Sequence, residues 1–340
     1  VSRADLPHIQ QLVGELRLPA SAVLPLYELA RHAPSEPVRL PDDAELDREL
    51  DRLGLSAADR TDLLAARPDP QRTPGLWWLL ERCVTVLRAR QGTIAPLSPW
   101  PDLPDELGPV GRYLYVWVLI AALPAARAHH RARGIPEQSS REVLAVLADQ
   151  LRNRRALHGS GGLHTQNWLT HHYRGAVYVL GRLHVERTMI TFDPGPGPDA
   201  PPIGAPALAL HIPEGRLTPE SCDDSLTRAA AFFGRHFPEE PYRYAVCGSW
   251  VLDPQLKEYL DPESNIIKFQ ERFTLAPDTG PDLNETVVEF IFKRPFADLD
   301  VLPRDTSLQR GIVDHVKAGR TWRFRTGWFR LSAAARQGAE

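Results

Sequence analysis

The segment Ala207-Leu-Ala-Leu-His-Ile-Pro-Glu-Gly-Arg-Leu-Thr-Pro-Glu-Ser221 constrains the fold more than any other stretch, because it reads as strand, tight turn and helix start in succession. Leu208, Leu210 and Ile212 alternate with Ala207, Ala209 and His211, the period of a buried strand. Pro213 has no N–H to donate and ends the ladder. Thr218 is a good N-cap, and Pro219 suits the first helical position, where a missing N–H costs nothing. Leu226, Ala229, Ala230 and Phe233 then recur at helical spacing, so one helix face is apolar. The free N–H groups of the first turn and the helix dipole favour an anion there, with Gly215 and Arg216 close by.

At 340 residues the chain is expected to form two domains. A hydrophobic share of 43% and a charged share of 24% fit a soluble protein with a real core. A net charge of −3 sets up no field for nucleic acid or an anionic membrane, and neither is expected as a partner. The longest apolar run, Val116 to Leu123, falls short of the roughly 20 residues that span a bilayer. Cys83, Cys222 and Cys247 are too few and too scattered for a disulfide framework or a zinc site. With no apolar leader at the start, the expected location is the cytoplasm. The pairs His129–His130 and His171–His172 point different ways and have no carboxylate at ligand spacing, so no metal is expected.

Proline-rich breaks at 34–37, 68–74 and 96–104 separate charged amphipathic stretches over 42–53 and 57–67 and a Trp/Leu-rich one over 76–87. A mainly helical N-terminal domain is therefore expected over 1–110, and a second domain over 111–340. Residues 113–126 are apolar on all sides and read equally as buried helix or strand, while 141–155 has a clear helical stripe. From Tyr173 strands take over: one or two in 178–192, the strand already described, and Tyr242 to Leu252. Asp253-Pro254 caps a short helix over 254–260. Ile266–Leu275 and Val287–Lys293 read as a hairpin pair, followed by a helix over 307–318 and an aromatic strand over 322–329.

This order resembles the second half of the GNAT acyltransferase fold. In that family two central strands splay to admit a pantetheine arm, and the following helix start holds the pyrophosphate. Several phrases resemble the actinobacterial two-domain acyltransferase proteins, which place an N-acyltransferase-type helical domain before a GNAT-like one. They are Leu76-Trp-Trp-Leu-Leu-Glu-Arg-Cys83, His171-His-Tyr-Arg-Gly175, Leu180-Gly-Arg-Leu-His184, His211-Ile-Pro-Glu-Gly215, Trp250-Val-Leu-Asp-Pro-Gln-Leu256 and Thr326-Gly-Trp-Phe329. The resemblance implies an α/β (α+β) fold with a GNAT-like mixed sheet flanked by helices. It implies an acyl-CoA or phosphopantetheine-linked donor at Gly215, Arg216, Leu217, Thr218 and Ser221. One departure matters: the family's phosphate signature, Gln/Arg-x-x-Gly-x-Gly/Ala, is replaced by Glu214-Gly-Arg-Leu-Thr-Pro-Glu220, whose acidic ends repel a pyrophosphate. An acyl carrier protein, whose arm has one phosphate, is the alternative donor.

The implied reaction is acyl transfer to the amine of a small molecule or peptide, in specialised metabolism. It needs a base for the ammonium and an acid for the departing thiolate. His211 at the end of the splayed strand is the first candidate base and Glu214, through a water, the second. Tyr259, on the short helix after the next strand, matches the position of the family's thiolate-protonating tyrosine. Ser249 is a candidate hydrogen-bond donor in the acyl channel, and Cys247 beside it lacks the cationic neighbour a nucleophile needs. Two other readings stand beside this one: a GNAT-like thioester decarboxylase and S-acyltransferase using His211 and Ser249, and a non-catalytic binding module. The loop His158-Gly-Ser-Gly-Gly162 reads as a connector or an anion cradle.

Overall fold

A computed structural model describes residues 6–294, 296 and 299–331. The chain divides into two compact units, Val1–Ala176 and Val177–Glu340.

The first unit is helical: α1 (Leu6–Glu15), α2 (Val23–Ala30), α3 (Asp43–Leu53), α4 (Ala57–Ala65), α5 (Pro74–Ala89), α6 (Gly108–Ala132), α7 (Glu137–His158) and α8 (Gln166–Tyr173). Local chemistry sets several ends. Asp42 and Glu45 form a reciprocal capping box on α3, and Gly54, at φ 71°, closes it in the left-handed region. The stretch Asp105–Ala132 is long and apolar enough to cross a membrane by length and composition alone, but it is mostly buried. Residues 113–126 thus resolve as the central helix of this unit, packed by α4, α5 and α8. The divide falls at 176/177 rather than near 110, because the Pro-rich segment 96–104 is tied into the helices around it. Trp100 stacks on Tyr115 with ring centroids 5.4 Å apart, and Asn167 of α8 accepts from the Trp100 N–H at 2.7 Å.

The glycine loop 158–162 packs as a connector. A Cβ on Gly161 would lie 2.0 Å from the Tyr113 hydroxyl and 2.3 Å from Arg155 Nη2. Arg155 itself joins Asp59 and Asp62 at 2.6 and 2.7 Å. These glycines let backbone lie flat on a satisfied ion-pair network.

In the second unit the elements run β1 (Val177–Leu180), β2 (Leu183–Met189), β3 (Pro206–His211), α9 (Pro219–His236), β4 (Tyr244–Ser249), α10 (Asn265–Gln270), β5 (Thr274–Asp282), α11 (Asn284–Phe292), α12 (Ser307–Lys317) and β6 (Arg323–Arg330). Among the described residues they form one mixed sheet of order β1-β2-β3-β4-β6-β5. The pair β3–β4 is parallel, as its α9 crossover requires, and the other pairs are antiparallel. One sheet face packs on α9 through Tyr178 of β1, whose ring centroid lies 4.7 Å from that of Phe232 and 6.0 Å from that of Phe233. The other carries a small cluster of Ile190, Ala207, Val246 and Trp328, closed by the loop after β2, whose Pro194 carbonyl accepts from Trp328 Nε1 at 2.9 Å.

Two sequence expectations change here. The hairpin over 266–293 is absent: α10 and α11 are helices, and the partner of β6 is β5 between them. The buried face of α9 is Cys222, Ser225, Ala229, Phe232, Phe233 and His236, rotated from the stripe of Leu226 and Ala230. Ser225 belongs to it because its hydroxyl accepts from the Arg182 N–H at 2.8 Å and donates to the Ser221 carbonyl at 2.8 Å.

Candidate active site

The site begins where the central ladder fails. The parallel register joins Ala207 to Tyr244, Leu208 to Ala245 and Ala209 to Val246, and goes no further. Past that point β3 keeps its pairing with β2 as far as His211, and β4 keeps its pairing with β6 as far as Ser249. The two strands therefore diverge toward their C-terminal ends, on the side where the chain enters α9. Backbone groups on the facing edges lose each other as partners there and become available to a third, extended polar group.

His211 stands at one lip of this opening. Its Nε2 lies 2.8 Å from Glu186 Oε2, with the side chains 34% and 13% exposed respectively. The contact follows from register: His184 is opposite His211 and Glu186 is opposite Ala209, so Glu186 is the diagonal neighbour of His211 on one face. Burial first, then His211 and Arg182, lowers the pKa of His184 to about 4, so its ring is neutral in ordinary buffers. Glu186 and His184 were not singled out by sequence reasoning. The signal was there in Leu183-His-Val-Glu-Arg-Thr188, where polar residues at 184, 186 and 188 alternate with buried Leu183 and Val185.

Ser249 stands at the other lip. Its Oγ accepts from the Val251 N–H at 3.1 Å as the chain turns into a 3₁₀ segment, Trp250–Leu252. Gly248 beside it has Phe324 of β6 laid against it: an added Cβ would meet the ring at 2.5 Å. The same ring lies 2.9 Å from where a Cβ on Gly280 would be. Cys247 is buried, and burial pushes its thiol up to about 12, which rules out a thiolate nucleophile near neutrality.

The remaining candidates are placed differently. Glu214 is exposed and 3.1 Å from Lys293 Nζ at the end of α11, so its carboxylate is engaged away from the pair at His211. Tyr259 packs on α12; its hydroxyl is 3.2 Å from His315 Nδ1 and 3.4 Å from Arg320, and its ring meets Trp322 edge-on. Nothing in those contacts brings it to His211. Asp253, which shares the sequence neighbourhood, is buried and accepts from the Arg323 N–H at 2.7 Å and the Gln255 N–H at 3.0 Å, a cap and a brace.

The turn from β3 to α9 is rigid. Arg182 Nη2 donates to the Pro213 and Gly215 carbonyls, both at 2.6 Å, and Nε donates to the Arg216 carbonyl at 2.8 Å. Gly215 sits at φ 115°, where a side chain would be strained. Leu217 is buried beneath the turn. Thr218 and Ser221 cap each other reciprocally: the Ser221 N–H donates to Thr218 Oγ1 at 3.2 Å and the Thr218 N–H donates to Ser221 Oγ at 3.0 Å. The Glu220 carboxylate accepts from its own backbone N–H and from Thr218, which lowers its pKa. Of the five expected donor-binding positions, Thr218 and Ser221 thus spend their polar atoms on the helix start, and Gly215 and Arg216 give their carbonyls to Arg182. Among the described residues no group of three or more His, Cys, Asp or Glu side chains is arranged to hold a metal ion.

Comparison with known proteins follows the same division of the chain. The model of the GNAT-like C-terminal domain matches residues 177–329, and that of the N-acyltransferase N-terminal domain matches residues 44–175. An acyltransferase solved in complex with decanoyl-CoA and teicoplanin is 40% identical, with a TM-score of 0.84 over 95% of this chain and 99% of that one. An acyltransferase mutant in complex with octanoyl-CoA is also 40% identical, with a TM-score of 0.85 over the same shares. A third, in complex with CoA and 10C-Teicoplanin, has 40% identity and a TM-score of 0.84, again over 95% of this chain and 99% of that one. No curated protein matches the chain.

Proposed function

The chain belongs to the acyltransferases that place an N-acyltransferase N-terminal domain before a GNAT-like C-terminal domain, and from that premise we propose that it carries an acyl group from coenzyme A to the amine of a small-molecule acceptor. The observation that carries this reading is the parting of β3 from β4 after three residue pairs, with an imidazole–carboxylate pair at its lip. An extended pantetheine amide fits between two strand edges that no longer bond each other. The relatives solved with octanoyl-CoA, decanoyl-CoA and teicoplanin support an acyl-CoA donor and an acceptor of modest size.

His211 takes one proton from the ammonium, the freed lone pair attacks the thioester carbonyl carbon, and the carbon–sulfur bond breaks as the nitrogen gives up its second proton to the departing thiolate and the amide forms. Ser249 accepts from the Val251 N–H and so keeps its O–H to donate toward the departing sulfur. Tyr259 has no part in this scheme. The turn held by Arg182 presents a preformed shape, with the exposed Arg216 on it, to the donor's phosphate end, while Glu214 and Glu220 nearby oppose the diphosphate's charge. A carrier-protein donor is the outcome that would follow if the turn excludes the nucleotide altogether.

Mass spectrometry of an amine acceptor incubated with the protein and acyl-CoAs of graded chain length tests the reading. The expected product carries one acyl mass on its amine and releases one free thiol. Acylation by a carrier-protein thioester alone would replace the donor, and no acylation from either would overturn the reading.

A further inference from the structure

Resting on the reading of His211 as the base, we propose that Glu186 is its positioning residue: the carboxylate accepts the Nε2 proton, fixes the ring's tautomer and leaves Nδ1 as the basic nitrogen.

Among the described residues, the geometry assigns this role to Glu186. The groups that face His211 from the adjacent strand are His184 and Glu186, with Arg182 at the turn before them. His184 is held neutral by burial, so it adds no charge to the ring's surroundings. Arg187, next in sequence to Glu186, points to the opposite face, where its guanidinium is bound to Glu240 and Tyr242. Among the described residues, Glu186 is the carboxylate bonded to the ring, at 2.8 Å and 13% exposed. A carboxylate so far out of water is stable only with a donor, and the imidazole N–H supplies one.

The chemistry follows from the tautomer. With the Nε2 proton given to Glu186, the lone pair sits on Nδ1, and the ring can turn no further without breaking the bond. When Nδ1 takes the proton from the ammonium, the ring becomes an imidazolium beside an ionised carboxylate, and the pair is stabilised by charge. The proton then leaves from Nδ1 toward solvent or the released thiolate. Glu186 stays ionised throughout and touches no reacting atom.

The test is Glu186→Gln, which keeps the volume and an acceptor oxygen but removes the charge. In protein labelled with ¹⁵N-histidine, a titration of the His211 ring signals, assigned with His211→Ala, reads pKa and tautomer without turnover. The ring should lose its fixed Nε2-protonated tautomer, and the acid limb of kcat/KM should move to lower pH. Glu186→Ala should also lower kcat by roughly 10–10²-fold, with KM for the donor little changed. A His211 ring whose pKa and tautomer are the same in Glu186→Gln and wild type overturns the proposal, whatever the turnover does. A ring that shifts as expected while His211→Ala retains full turnover upholds the pairing and overturns the assignment of His211 as the base.

Discussion

Glu186 and Arg187 are adjacent on β2 yet belong to different kinds of structure. Arg187 faces the closed side of the sheet. It is 2% exposed, its Nε donates to Glu240 Oε2 at 2.9 Å, its Nη2 is paired with Glu240 Oε1, and its guanidinium lies 4.0 Å from the centroid of the Phe237 ring. Tyr242 completes the group by donating to Glu240. The guanidinium there is matched, stacked and sealed from water, and Glu240 closes the group from the half-buried side. Glu186 faces the side where β3 parts from β4, and it meets a half-buried imidazole that can gain and lose a proton. The two residues differ by one step along a strand and therefore by one face of a sheet. A buried charge pair on a closed face holds the fold; the pair at the opening stands where the proton transfer is proposed.

The sharpest way to break this comparison is to remove His211. His211→Ala should lower turnover by ~10²–10⁴, or roughly 3–5 kcal/mol of barrier, with donor affinity nearly intact. The acid limb of the pH profile should vanish and high pH should partly rescue the rate; calorimetric titration with acyl-CoA checks the affinity. Arg187→Met is the mirror experiment. It leaves the half-buried Glu240 without its cation and should cost about 1–3 kcal/mol of stability in denaturant unfolding, while the folded fraction keeps its specific activity.

Acid sharpens the contrast further. Burial lowers the ring pKa of both His130 and His184 to about 4, against 6.5 in the open chain. Below about 6.5 the unfolded chain binds protons that these rings refuse, so stability should fall as pH drops from 6.5 to 4. Glu49 and Glu240, held below their ordinary range by Arg127 and Arg187 despite burial, extend that loss to lower pH, where the carboxylates protonate. Melting temperature followed from pH 7 to 4 checks the direction; a flat profile would mean that both rings are better solvated than their surroundings imply. The smallest effects should come from Tyr259→Phe and Glu214→Gln. The first loses the hydroxyl's contacts with His315 and Arg320, about 1 kcal/mol of stability, and the second an exposed ion pair worth ~0–1 kcal/mol. Turnover in both should stay within about threefold of wild type, since neither group acts on His211.

What could be read from the sequence was local. Thr218, Pro219 and Asp253 announce their helix starts because the atoms that cap are within three residues of the N–H groups they satisfy. The strand at 206–211 was legible from its alternation. The segments 265–270 and 284–292 were misread because Asn-Ile-Ile-Lys-Phe-Gln and Val-Val-Glu-Phe-Ile-Phe are rich in β-branched and aromatic residues, and packing of Val287, Val288 and Phe292 overrides that preference. The strand β5 was hidden by Pro277, Gly280 and Pro281, which read as loop. It is an edge strand with register shifts, where a missing N–H costs least. Glu186 was hidden for another reason. Its meeting with His211 depends on the register of β2 against β3 across the long connection 190–205, and no turn signal there fixes a register.

Phe324 has a consequence for how this enzyme can change. Its ring rests on Gly248 from one strand and Gly280 from another, with clearances of 2.5 and 2.9 Å to the Cβ atoms that neither glycine has. A single substitution at Gly248 that adds any side chain collides with the ring, and one at Gly280 also meets the Phe324 backbone oxygen at 3.1 Å. A smaller residue at 324 has to come first, and until it does the wall of the opening beside β4 is mutationally locked. The order of steps is then set by sterics: a lineage that reshapes this wall passes through a variant with a hole at 324 before it can fill the space from position 248.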